Sequence, residues 1–160
     1  MMVEQFRNAV LSVTLKAIDK EPDSWTTFND ALHTRIIKGA YLSDEVELKS
    51  SELPILECRL ANSYLLITTE RVISILNTVY KEMYINEVEK FLNDYEALNY
   101  AKKNGQYPGT NRVAIRRIDG AVLEYIIDSH HAAFFSKILI YNIFSYKTKG
   151  YWYLDPAKKK

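Results

Sequence analysis

One cysteine, four prolines and five glycines are all that 160 residues contain of the three types that most restrict chain chemistry. Cys58 has no partner for an intrachain disulfide, so a disulfide scaffold is excluded, and a lone thiol fits a reducing compartment. Five scattered glycines build neither a G-x-x-x-x-G-K-S/T loop nor a G-x-G-x-x-G turn, which excludes nucleotide binding through a glycine cradle. Charge of one sign is lacking too: 21 basic and 20 acidic residues leave +1. A global attraction to nucleic acid or an anionic membrane has no basis in that balance. Uninterrupted apolar runs reach only four residues, against the roughly 20 that span a bilayer. The first 21 residues are interrupted by Glu4, Arg7, Lys16 and Asp19 and show no small-residue cleavage site, so the chain reads as a cytoplasmic, bacterial protein.

What is present fits one globular domain: 48% apolar, 26% charged, 12 tyrosines. A chain of this length buries about two-thirds of its unfolded surface and needs no metal staple.

Residues 3–19 carry helical periodicity, with Val3, Phe6, Val10, Val13 and Ala17 in one stripe that Leu11, Leu15 and Ile18 widen. Glu21-Pro22-Asp23 stops that helix. A second helix is expected over Ser24–Lys38, with Trp25, Phe28, Leu32 and Ile36 on one face and Gly39 as its left-handed cap. The pattern then becomes β. Leu56–Leu60, Tyr64–Thr68 and Arg71–Leu76 read as strands, with Thr69-Glu70 as a tight connection and a short strand near Glu82–Ile85. Ile73 and Ile75 point to one side, Val72, Ser74 and Leu76 to the other. Residues 86–104 fit a helix from Asn86 better than a strand and loop. Asp119-Gly120 joins two alternating strands and has the composition of a type I′ turn. His130–Phe144 is apolar around most of its circumference, with Asp128 or Ser129 as its cap. The tail after residue 146 is aromatic and then basic.

The segment NSYLLITTERVISIL resembles the y-x-L-T-x-x-R-I hairpin of bacterial PH-like domains, with Thr68 or Thr69 and Arg71 at the matching positions. DGAVLEYIID followed by SHHAAFFSKILIYNI resembles their last strand and closing helix. The resemblance covers about residues 40–146. It implies a curved antiparallel β-roll closed by a C-terminal helix (40–146). With the N-terminal helical pair (1–39), an addition to the family pattern, and the aromatic, basic tail (147–160), both read from the residues, the chain is expected to be α+β. Eukaryotic PH domains bind phosphoinositides through a basic first loop. The matching stretch here, Leu60-Ala61-Asn62-Ser63, has only Arg59 beside it, so that role does not transfer.

Candidate chemistry is sparse. His130-His131 are adjacent, so their side chains diverge by about 100° on a helix and chelate poorly. No HExxH or CxxC exists. Cys58 sits in a strand and reads as a small buried hydrophobe. The acids at Asp44, Glu45 and Glu47, and at Glu87 and Glu89, read as solvated surface. Arg112, Arg116 and Arg117 form the densest basic cluster, the first two on one strand face. With Lys147, Lys149 and Lys158–Lys160 they outline an anion-binding patch. Tyr151 and Trp152 among the tail lysines suit base stacking or an interfacial anchor, and equally a tail whose aromatics dock on the domain.

The reading reached is a non-enzymatic protein-interaction module, in one specific version an immunity or inhibitor-type protein. It has a protein partner, no cofactor, no metal and no catalytic residue. Two alternatives stand beside it. One is an anionic membrane or nucleic-acid surface binder using the basic aromatic tail. The other is an enzyme with a site near His130, His131 and Asp128.

Overall fold

A computed structural model describes residues 1–18, 33–37, 39–41, 43–92, 96–106 and 108–153. These form an α+β chain with three helices and two open antiparallel sheets.

Helix α1 (Val3–Ile18) buries Phe6, Val10, Thr14 and Ile18, one residue per turn. Thr14 replaces Val13 at the centre of the buried line because its hydroxyl has two partners there. It donates to the Val10 carbonyl at 2.7 Å and accepts from the Asn142 amide at 3.1 Å.

The expected helical pair is not found; one N-terminal helix is present among the described residues. Residues 24–32 of the second helix lie outside them, and where it was to end the chain forms strand β1 (Thr34–Ile36). Main-chain pairing with the neighbouring strand overrides the helical spacing of Ile36. Thr34 faces Cys58 and Ile36 faces Leu56, while the Ile37 N–H donates to the Ile55 carbonyl at 2.8 Å. Two consecutive β-branched residues then serve opposite faces, Ile36 in one apolar cluster and Ile37 in another. Gly39 is not left-handed.

The first sheet is a meander, β1 followed by β2 (Pro54–Leu60), β3 (Ser63–Thr68), β4 (Arg71–Leu76) and β5 (Val79–Tyr84), adjacent in that order. It is apolar on both faces. Leu65, Ile67 and Val72 join the main core, while Leu66 and Ile73 join a second cluster with Ile37, Val46 and Tyr64. That is why SYLLIT lacks polar alternation. The Thr69-Glu70 connection needs no glycine. The Thr68 hydroxyl accepts the N–H groups of Glu70 (3.0 Å) and Arg71 (2.9 Å) and holds the turn itself.

A 3₁₀ turn at Ile85–Glu87 leads to the second sheet: β6 (Val88–Leu92), β7 (Thr110–Arg117) and β8 (Val122–Asp128). The continuous helix expected over 86–104 is therefore split. Val88 is buried and enters β6, and only Glu96–Asn104 forms a helix, α2, ended by left-handed Gly105. The Asp119-Gly120 hairpin also differs in detail from a type I′ turn. Only Gly120 has positive φ, at 94°, and the loop spans residues 118–121. The Asp119 carboxylate accepts the Ala121 N–H at 3.0 Å and the Arg117 guanidinium, which favours this wider loop.

Helix α3 (His131–Lys149) is longer than the sequence suggested and buried around most of its girth. Neither Asp128 nor Ser129 caps it. The N-cap is His130, at φ 62°, ψ −121°, a conformation costly for any residue with a Cβ. Asp128 is engaged elsewhere. Helices α1 and α3 pack together, and α3 fills the space beneath both sheets with Phe135, Leu139, Ile140 and Ile143. Each such side chain contributes about 1.5–3 kcal/mol through burial. No helix among the described residues is long and apolar enough to cross a membrane.

Candidate functional site

The basic residues singled out from the sequence are placed as follows. Arg112 and Arg116 share a face of β7 but stand about 13 Å apart along it. Each of the three arginines has its own carboxylate. Arg112 donates to Glu124 at 2.5 Å, Arg116 holds Glu89 through two bonds of 2.9 and 3.0 Å, and Arg117 holds Asp119 through two of 2.7 and 2.9 Å. The Arg117 guanidinium and the Ala121 N–H pull the Asp119 carboxyl down to about 2, and Arg116 lowers Glu89.

Lys147 and Lys149 lie in the last turn of α3. Lys147 Nζ sits 5.4 Å from the centre of the Phe6 ring, and Trp152 stacks on Tyr146 at 4.4 Å. Tyr153 stacks on Tyr141 at 4.8 Å, and the Tyr151 carbonyl accepts the Ser145 hydroxyl at 2.7 Å. Through residue 153 the aromatic tail is therefore docked on α1 and α3. Lys158–Lys160 lie outside the described residues.

Cys58 is fully buried, and burial pushes its thiol up to about 11, away from nucleophile chemistry. Thr68 and Arg71, which carry the hairpin resemblance, form a buried polar centre with Glu52. Arg71 Nε donates to both Glu52 oxygens (3.0 and 3.1 Å), another of its nitrogens reaches Glu82 at 2.8 Å, and the Thr68 hydroxyl donates to Glu52 at 2.6 Å. The residues of this motif are committed to internal bonds.

Asp128, which the sequence offered as a carboxylate beside His130 and His131, is engaged from the first sheet. It accepts the Thr34 hydroxyl at 2.5 Å and faces His33 Nδ1 at 3.2 Å. Both partners come from the β1 end, so the second sheet is stitched to the first. Farther along β8 the Ser74 hydroxyl donates to the Glu124 carbonyl at 2.6 Å and makes a second stitch.

Beyond these stitches, at the end bearing the β2–β3 and β4–β5 turns, the sheets part. They leave a groove of about 550 Å³. Apolar Leu60, Leu76 and Ile126 line it together with polar His33, Asn62, Ser63, Asn77, Thr110 and Arg112. Two neighbouring hollows share residues with it: one is lined by Leu76, Asn77, Val79, Lys81 and Val122, the other by Thr110, Arg112, Tyr100 and Pro108. The Asn77-Thr78 turn at its rim has positive φ at both residues, 46° and 69°. A β-branched residue there is strained.

Facing a buried carboxylate through Nδ1, His33 turns its other ring nitrogen away from Asp128. In sequence His33 lies far from Asp128, His130 and His131. Only the pairing of β1 with β2 brings it to Asp128, and a three-residue strand leaves almost no periodic signal. Among the described residues no group of three His, Cys, Asp or Glu side chains could hold a metal ion. Compared with protein-family models, curated proteins and solved structures, the chain matches none.

Proposed function

We propose that the protein is a non-enzymatic interaction module on a PH-like roll, acting in the cytoplasm and holding a protein partner in the groove at the turn end of its two sheets. The observation that carries this reading is the groove itself. It combines apolar Leu60, Leu76 and Ile126 with polar side chains and is open to solvent, which suits a polypeptide segment rather than an enclosed metabolite. The disposition of reactive groups supports it: the Cys58 thiol is buried, and Asp128, Glu52 and Arg71 are spent on internal bonds. The docked aromatic tail favours this groove over a tail-borne membrane or nucleic-acid surface.

Site-specific photo-crosslinking in the cell that makes the protein tests the reading. A photoreactive residue at Asn62 or Thr78 is expected to give one discrete adduct that Leu76→Glu removes, with the fold checked by circular dichroism. A probe at exposed Lys103 is expected to give none. Adducts at Lys149 but not in the groove transfer the interaction to the tail and end the proposal.

A further inference from the structure

We infer that the free edge of β5 takes up an extended segment of a different polypeptide as a further strand of the first sheet, pairing through the main chain of Tyr80 and Glu82. This surface is separate from the groove, so either can fail alone.

Four strands end the two sheets: β1, β5, β6 and β8. Three of them are poor templates for pairing. β1 is three residues long. β6 breaks register between Val88 and Lys90 and exposes the charged Glu89 and Lys90. β8 already gives its Glu124 carbonyl to the Ser74 hydroxyl. β5 differs from all three. Its six residues run in unbroken register with β4, without bulge or proline. Shortening, bulging and covering are the usual ways an edge is closed to other chains, and β5 shows none of them.

The register fixes where its main-chain groups point. The Asn77-Thr78 turn has two residues, so Leu76 and Val79 on either side exchange N–H and C=O bonds, and every second pair along the ladder does the same. Lys81 and Met83 therefore also turn their main-chain groups to β4. The Ile85 N–H, which donates to the Glu70 carbonyl at 2.8 Å, keeps that alternation. Tyr80 and Glu82 turn theirs outward, and among the described residues nothing bonds them. Val79 and Tyr80 are 57% and 46% exposed, so this stretch faces solvent.

Donors and acceptors alternating at strand spacing match another extended backbone. Side chains add an apolar margin on one face. Val79 and Lys81 share a hollow with exposed Val122, and exposed Ile118 bonds through its N–H to the Glu87 carbonyl just past β5. An incoming strand with β-branched or aromatic residues at every second position covers Val79 and Val122. A second copy of this chain fits badly. Of the two twofold registers that align most of β5 with itself, one sets Lys81 against Lys81 and the other Glu82 against Glu82. Like charges directly opposite destabilise a strand pair, so the occupant is a different chain.

A phage-displayed library of random nine-residue peptides, selected on the whole protein, is the probe. Selected peptides are expected to alternate apolar and polar residues. In the bound state, amide exchange at Tyr80 and Glu82, read by NMR, is expected to slow at least tenfold. Tyr80→Pro removes one outward donor at a position where an edge strand tolerates proline, and is expected to weaken binding at least tenfold by fluorescence polarisation. Circular dichroism checks its fold, and if the variant does not fold, the exchange measurement on the wild-type protein decides alone. Peptides indifferent to a folded Tyr80→Pro, bound peptides that leave the two amides exchanging as before, or no selected peptide at all overturn the inference. Peptides that respond to Leu76→Glu yet leave those amides unprotected overturn it and assign the binding to the groove. Peptides that protect the amides sustain it even where crosslinking at Asn62 and Thr78 gives no adduct and the groove reading fails. A dimer in sedimentation that Tyr80→Pro dissociates overturns it in favour of a second copy.

Discussion

Thr34 and Asp128 are 94 positions apart and share a hydrogen bond of 2.5 Å. It joins the shortest strand of the first sheet to the last residue of β8. The same carboxylate orients His33, so one buried acid both seals the sheet junction and sets a wall of the groove.

Asp128→Ala should therefore act on stability and on the groove together. Two donors lose their acceptor, and a buried one left unmade costs about 1–3 kcal/mol. Urea unfolding should register that loss. Amide exchange at Arg59, whose N–H donates to the His33 carbonyl at 3.0 Å, should accelerate more than exchange at Ile73 in the centre of the sheet. Equal acceleration at both would contradict a local role for the stitch.

Glu52 and Arg71 give a prediction with a sign in pH. Burial raises the Glu52 carboxyl, but bonds from Arg71, the Lys49 N–H and Thr68 outweigh it and hold it below its ordinary 4.5. A depressed folded value means Glu52 stabilises the fold above its unfolded pKa and loses that contribution as pH falls through the folded value. Arg71→Met should cost about 3–5 kcal/mol at neutral pH, since it leaves a buried carboxylate unpaired. In that variant only the burial penalty remains large, so the deficit should narrow between about pH 6 and pH 4 as Glu52 takes up a proton. Chemical denaturation across that range measures it, and a gap that stays constant would remove Glu52 from the account.

The Cys58 thiol, held at about 11, should be nearly inert in the native protein. At pH 8 only roughly one thiol in a thousand is ionised, and none of its surface is accessible. Ellman's reagent should react slowly in buffer and promptly in urea. Rapid native labelling would mean that β1 opens readily from β2.

Thr78→Gly should stabilise. Thr78 holds φ 69° in a two-residue hairpin turn after Asn77 at 46°. Asn-Gly is the preferred pair for that geometry, and removing the Cβ should return about 1 kcal/mol. Thermal unfolding should shift upward by a few degrees. A downward shift would mean that the Thr78 side chain makes a stabilising contact outweighing its strain.

The β meander, the 112–128 hairpin and the closing helix were legible because their signals are local: alternation, apolar runs, an Asp-Gly pair. The two-faced burial of the first sheet was readable in the opposite directions of Val72 and Ile73. β1 was hidden, since Ile36 fits a helical stripe as well as a strand, and nothing local in the sequence points to its partner Leu56. The split at residues 85–104 was hidden for a related reason: Val88 satisfies helix spacing and strand alternation alike, and the space beside β7 decides. Of the groove, only Arg112 had been singled out from the sequence. His33 reaches it through a contact between chain segments 95 positions apart, beyond any window of periodicity.

Among the described residues helix α3 follows the eight strands in the chain, and it fills the space beneath both sheets. During synthesis the strands therefore leave the ribosome before the element that covers their inner face. Until residue 143 is free of the exit tunnel, Leu65, Ile67, Ile115 and Leu123 have water or a chaperone for company. The nascent chain, more than the finished one, is the form of this protein at risk of aggregation.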